Sequence, residues 1–187
     1  MSGGSARLET RAFSWQTGDG RSLIAKAAAV CAIATVLMAA LQFDGMTALR
    51  VSVIGVALVA CAATDLASYR VPDVVTLPSI AFALAWSAWA GEPGIASSVA
   101  GATMAGGLLL AAAVVTKGGL GGGDVKLGAL LGAALGLPMA AFALAEGILL
   151  GGGFVICLFA MGRLERRQAF PFAPFLAVTG LAYLLGG

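Results

Sequence analysis

The chain has 187 residues, of which 60% are apolar and only 11% charged, and its net charge is +2. A soluble domain of this size cannot hide so much apolar surface, so composition points to an integral membrane protein with the lipid bilayer as its main surroundings. The small net charge gives no reason to expect a nucleic-acid partner. The absence of histidine removes imidazole chemistry and the commonest metal ligand.

Residues 1–22 are polar and read as a loose tail, with Arg7, Glu9, Arg11, Asp19 and Arg21 among them. Phe13 and Trp15 are placed to rest on a membrane surface. The first apolar run follows Lys26, behind a polar stretch too long for a cleaved signal peptide, and reads as a retained helix. Seven apolar segments follow, near 27–43, 47–66, 74–90, 95–116, 125–137, 139–161 and 172–186. They are longer than strands and do not alternate, which argues against an outer-membrane barrel. The expected fold is therefore all-α, a polytopic bundle of about seven membrane segments. A straight span needs about 20 residues, so the fifth and seventh segments are short. The fifth is expected to borrow length from the glycines before it or to stop inside the protein. Pro138 marks the turn into the sixth.

Gly128, Gly132 and Gly136 recur every four residues, as do Gly147 and Gly151, and each set is expected to form a flat stripe for close helix packing. Cys31, Cys61 and Cys157 lie far apart inside apolar runs and read as small hydrophobes, neither disulfides nor zinc ligands. With seven spans and a cytoplasmic N-terminus, one side holds Arg7, Arg11, Arg21, Lys26, Arg70, Lys117, Lys126, Arg163, Arg166 and Arg167. The other holds only Arg50. That bias obeys the positive-inside rule and supports both the count and the orientation. It also puts Asp65 and Asp124 at the cytoplasmic ends of their helices.

Those two acids are the candidates for chemistry. A carboxylate at the mouth of a membrane helix is costly unless water, a partner or a task holds it there. Two at close range cannot both ionise cheaply; they share a proton and titrate as a pair. One can then take a proton from water while the other protonates a carbonyl or leaving group. That suffices to hydrolyse a peptide bond without a metal or other cofactor. The residue types alone leave open that both are interfacial acids with no task. Gly121 and Gly123 have no side chain and are expected to let a substrate backbone lie beside Asp124. Pro72 and Asp73 are expected to set the loop after Asp65 and to cap the next helix. Lys126 is placed to steady the Asp124 charge, to meet an acid near a substrate's cut site, or to snorkel to the interface. Pro171 and Pro174 are read as bending the entry to the last helix. Glu146 lies deeper in its segment than any other acid and is expected to pair with a backbone or hydroxyl group or to line a polar cleft.

The flanks of the two aspartates are distinctive. Asp65 opens Asp65-Leu66-Ala67-Ser68-Tyr69-Arg70-Val71-Pro72-Asp73, and Asp124 closes Gly121-Gly122-Gly123-Asp124, with Val125-Lys126 behind it. Together with Phe170-Pro171-Phe172-Ala173-Pro174-Phe175-Leu176, the pattern resembles the type IV prepilin peptidase family of GxGD membrane aspartyl proteases. The resemblance covers roughly residues 45–187 and leaves 23–44 as an added membrane helix. It implies that Asp65 and Asp124 are a catalytic pair. It further implies removal of the short basic leader of prepilin-like or pseudopilin substrates at the cytoplasmic face of the inner membrane, just before the substrate's apolar helix. Many larger members carry a cytoplasmic domain with paired cysteines, linked to N-methylation of the new N-terminus. No CxxC pair and no loop of that size occurs here. The expectation is thus a peptidase without the methyltransferase, similar to the small members that serve tight-adherence (Flp-type) pili. Two alternatives stand beside it: another GxGD intramembrane protease, although Asp65 follows Thr64 where that type has tyrosine, and a small proton- or ion-coupled transporter using paired acids.

Overall fold

The computed structural model of the protein describes residues 18–116, 120–161 and 170–186. Among them are seven helices and no strand. They are α1 (Gly18–Gln42), α2 (Gly45–Ser68), α3 (Asp73–Ala90), α4 (Ile95–Val115), α5 (Gly122–Leu135), α6 (Met139–Ala160) and α7 (Ala173–Gly186). Each helix packs on the next, and α2 and α6 also pack on α7. Residues 18–22, expected in the polar tail, are already helical. Arg7, Arg11, Phe13, Trp15, Lys117, Arg163, Arg166 and Arg167 lie outside the described residues.

Five helices, α1 to α4 and α6, are long and apolar enough to cross a membrane, so the chain is a multi-pass membrane protein. The two short ones are α5 and α7, of 14 residues each. At 1.5 Å per residue each is about 21 Å long, less than the hydrocarbon core of a bilayer. The reason differs from that of a failed span. Helix α5 takes in the end of the glycine run, and its Leu127, Leu130, Leu131, Ala133 and Ala134 are almost wholly buried. It is a central post surrounded by protein, so bilayer thickness does not dictate its length.

The glycine stripes explain how a helix can be so enclosed. Gly132 lies against the backbone of Gly101 on α4 so closely that a Cβ at either position would overlap the other's carbonyl group. Gly128 takes up Leu109 and the Ala105 carbonyl, and Gly136, at φ +64°, fits against Ser97 and Pro93. On the opposite side of the bundle, Gly147 receives Leu176 and Thr179, and Gly151 receives the rings of Phe172 and Phe175. Backbones that approach this closely gain dispersion contacts that lipid chains cannot supply.

The far end of α5 leaves carbonyl groups inside the protein, and these need donors. Arg50, near the start of α2, donates to the Ala134 carbonyl, and the Ser97 hydroxyl donates to the Leu137 carbonyl at 2.9 Å while accepting from its N–H at 2.8 Å. A cation at a helix C-terminus is also favoured by the helix dipole. Arg50, the exception in the charge pattern, is thus a half-buried staple rather than a membrane anchor. Of the other cations, Arg21, Lys26, Arg70 and Lys126 belong to the end of the bundle that carries Asp65 and Asp124.

Gly132→Ala is expected to lower stability by about 3 kcal/mol, the upper end of overpacking costs, because backbone rather than a flexible side chain stands in the way. Thermal unfolding in detergent measures this; an unchanged midpoint would contradict the Gly101–Gly132 crossing.

Candidate active site

Asp65 stands one turn from the end of α2. The helix stops at Tyr69, which adopts the left-handed conformation (φ 53°, ψ 36°) and returns its N–H to the Asp65 carbonyl at 2.8 Å. Asp124 is the third residue of α5, whose N-cap is Gly121. Two side chains with α3 and α4 between them in sequence are therefore delivered to the same end. Both are buried, Asp65 with 6% and Asp124 with 8% of its surface exposed. The two carboxyl groups lie within coulombic range of each other.

Backbone amides hold each of them. Asp65 Oδ2 accepts the Ala173 N–H at 3.1 Å, and the Phe172 N–H lies near the same carboxyl. Asp65 thus occupies the N-terminus of α7, where unpaired amides and the helix dipole favour an anion. The Asp124 carboxyl lies near the Gly121 amide, and its own N–H donates to the Gly121 carbonyl at 3.1 Å. An acid at the third helical position is where a capping box places the group that faces the N-cap amide.

The Phe-Pro-Phe-Ala-Pro-Phe segment makes the first arrangement possible. Phe154 of α6 packs against Phe170 and Phe175 with ring centroids 5.9 and 5.6 Å away, and Phe170 stacks on Phe175 at 5.7 Å. With Gly151 admitting Phe172, the cluster pins the start of α7 to α6 and presents the Ala173 N–H to Asp65. Ala173 is a position at the candidate site that reasoning from side chains passes over. The available signal was the pair of prolines, since proline favours the first turn of a helix and so places its free amides at this end.

The other candidate residues are partly brought together and partly reassigned. Gly123 is filled from within the chain, because a Cβ there would lie 2.8 Å from the Val71 Cβ and 3.3 Å from the Val71 nitrogen. It admits the loop after Asp65 rather than a substrate backbone. Asp73 does not cap α3 from outside: the N-cap is Pro72, without a side-chain cap bond, and Asp73 is the first helical residue. Its carboxylate instead meets Lys126 Nζ at 2.6 Å. Lys126 does not pair with Asp124, since residues two apart on a helix do not share a face. Glu146 is remote from the pair and accepts the Tyr183 hydroxyl at 2.8 Å on the α6–α7 face. Cys61 is buried in the core, whereas Cys31 and Cys157 are exposed on the outer helices α1 and α6. Among the described residues no three acids, cysteines or histidines gather as a metal-binding group would.

Comparison with known proteins can now be set beside this geometry. A profile described as the type IV leader peptidase family matches residues 52–156, more than half of the chain and inclusive of both aspartates. The chain belongs to that family. A prepilin leader peptidase/N-methyltransferase of Aeromonas salmonicida is 34% identical over 162 residues, which are 83% of this chain and 55% of the relative. The protein of the same name in Bacillus subtilis is 45% identical over 75 residues, 40% of this chain and 30% of its own length. That of Burkholderia pseudomallei is 36% identical over 141 residues, 70% of this chain and 44% of the relative. The chain therefore spans about half or less of the length of these curated relatives. No solved structure gives a significant match.

The Gly123–Val71 contact has a direct check. Gly123→Ala is expected to destabilise the protein by about 1–3 kcal/mol, and Val71→Gly in the same chain to recover much of the loss. A destabilisation that Val71→Gly leaves untouched would show that Gly123 faces something other than Val71.

Proposed function

We propose that the chain is a membrane aspartic endopeptidase that removes the basic leader of prepilin-like proteins at the cytoplasmic face of the inner membrane. The observation that carries this reading is a pair of buried carboxyl groups at one end of the bundle and within coulombic range of each other, from α2 and from the first turn of α5, in a member of the type IV leader peptidase family. Asp65 and Asp124 are the catalytic residues. Of the two, one carboxylate takes a proton from water as the oxygen attacks the scissile carbonyl carbon, and the other, protonated, gives its proton to the carbonyl oxygen. The tetrahedral diol then collapses: one diol hydroxyl returns its proton to the ionised aspartate as the C=O reforms, the C–N bond breaks, the amine leaves with the proton of the other aspartate, and the carboxylic acid product is released. Water supplies every atom added, and the pair ends as it began.

The substrate class follows from depth. An apolar substrate helix standing in the bilayer presents the junction between leader and helix at the level where α2 ends and α5 begins. The positive-inside bias places that level on the cytoplasmic side, where Arg21, Lys26, Arg70 and Lys126 stand. Backbone amides from α5 and α7 keep the carboxyl groups aimed without recruiting side chains that would block the approach. The activity proposed is that of a peptidase without N-methyltransferase, of the kind serving Flp-type pili.

Co-expression with a small prepilin, followed by gel mobility, tests the reading. Asp65→Asn and Asp124→Asn are each expected to slow leader removal by about 10²–10⁴-fold while the protein stays in the membrane. Wild-type processing by either variant would overturn the assignment. Mass spectrometry of the matured pilin is expected to show an unmethylated N-terminal amine; a methylated one, in a host without another methylating enzyme, would overturn that part.

A further inference from the structure

The pair formed by Asp73 and Lys126 is awkward to explain as a source of stability. Lys126 is 39% and Asp73 56% exposed, and ion pairs so open to solvent contribute little to folding. Yet the contact is short, 2.6 Å, and joins residues 53 apart in the chain. It also falls in a telling place. Asp73 is separated from Asp65 by the end of α2 and the turn Tyr69 to Pro72, while Lys126 is two residues beyond Asp124 on α5.

That turn is short and stiff. Tyr69 is committed to the left-handed region and Pro72 to φ −74°, so a displacement at its far end is passed to the last turn of α2 rather than absorbed. The same two segments also touch where Val71 sits on Gly123, and α3 packs along α5 beyond the turn. Apolar contacts are non-directional and do not by themselves fix the angle of the turn over the first turn of α5. A directional contact on the other side of Pro72 does. The two together fix how the end of α2 lies over α5, and hence how the Asp65 carboxyl stands to that of Asp124.

We propose that Asp73 and Lys126 form a clasp that holds the turn after Asp65 against the first turn of α5 and so sets the working separation of the two carboxyl groups. Both are positioning residues. The inference rests on the proposed peptidase activity for its purpose, though the clasp itself can be observed without it.

Spin labels attached at Arg70→Cys and Gly122→Cys, both exposed sites, report the turn-to-helix distance by pulsed electron resonance, with Cys31→Ser, Cys61→Ala and Cys157→Ser as background. A narrow distribution is expected with the clasp intact, broadening in Asp73→Ala and in Lys126→Ala, and narrow again in the exchanged pair Asp73→Lys with Lys126→Asp. In the prepilin assay each single variant is expected to slow processing about tenfold, with recovery in the exchanged pair. A distribution that ignores the loss of either charge overturns the clasp whether or not the chain cleaves prepilin. Restored distance without restored processing overturns its role in cleavage. Failure of the wild type to cleave, with the distances behaving as stated, overturns the peptidase reading and leaves the clasp standing.

Discussion

Two carboxyl groups buried near a membrane surface repel each other and lose hydration, and the rest of the structure is arranged around making that tolerable. The means is the backbone. Asp65 receives the Ala173 amide at the start of α7, and Asp124 lies beside the N-cap amide of its own helix. Such groups are fixed in direction and favour negative charge through the helix dipole. A salt bridge to either acid would have neutralised the site; amides stabilise charge without removing it.

That solution constrains the helices. For the first turn of α5 to stand beside the last turn of α2, α5 must run through the middle of the bundle, and only a helix with glycine on its flanks can be so tightly surrounded. Its short length follows, as does the need for Arg50 and the Ser97–Leu137 bonds at its other end. The aromatic cluster around Phe154 plays the matching part for α7, which must begin at one depth for its amides to reach Asp65. Among the described residues, the exposed Asp73–Lys126 contact is the salt bridge at this end, and it holds up no buried group.

Much of this is readable from residue types. Apolar runs, their lengths and the four-residue glycine spacing indicate seven helices, with a fifth that either borrows from the glycine run or stops inside the protein; α5 does both. The acids at segment ends and the glycine run before Asp124 mark the candidate site. Reading by side chain fails where the interaction is not carried by a side chain. Nothing in Ala173 as a residue type reveals that its N–H donates to an acid 108 positions away. Gly123 shows the same limit: its lack of a side chain signals a close approach, but only the fold says that Val71 makes it. Lys126 and Asp73 carry matching charges, yet each had a plausible local partner, Asp124 for the one and the start of α3 for the other. The direction of successive side chains on α5 decides between them.

The account stands on the proximity of positions 65 and 124, and a covalent probe reads it directly. With Cys31, Cys61 and Cys157 replaced, Asp65→Cys and Asp124→Cys can be treated in native membranes with a short bifunctional thiol reagent, and the surviving free thiols counted. Efficient joining of the two cysteines within one chain is the expected result. Two thiols that each react singly, and are never bridged by any short reagent, would contradict it.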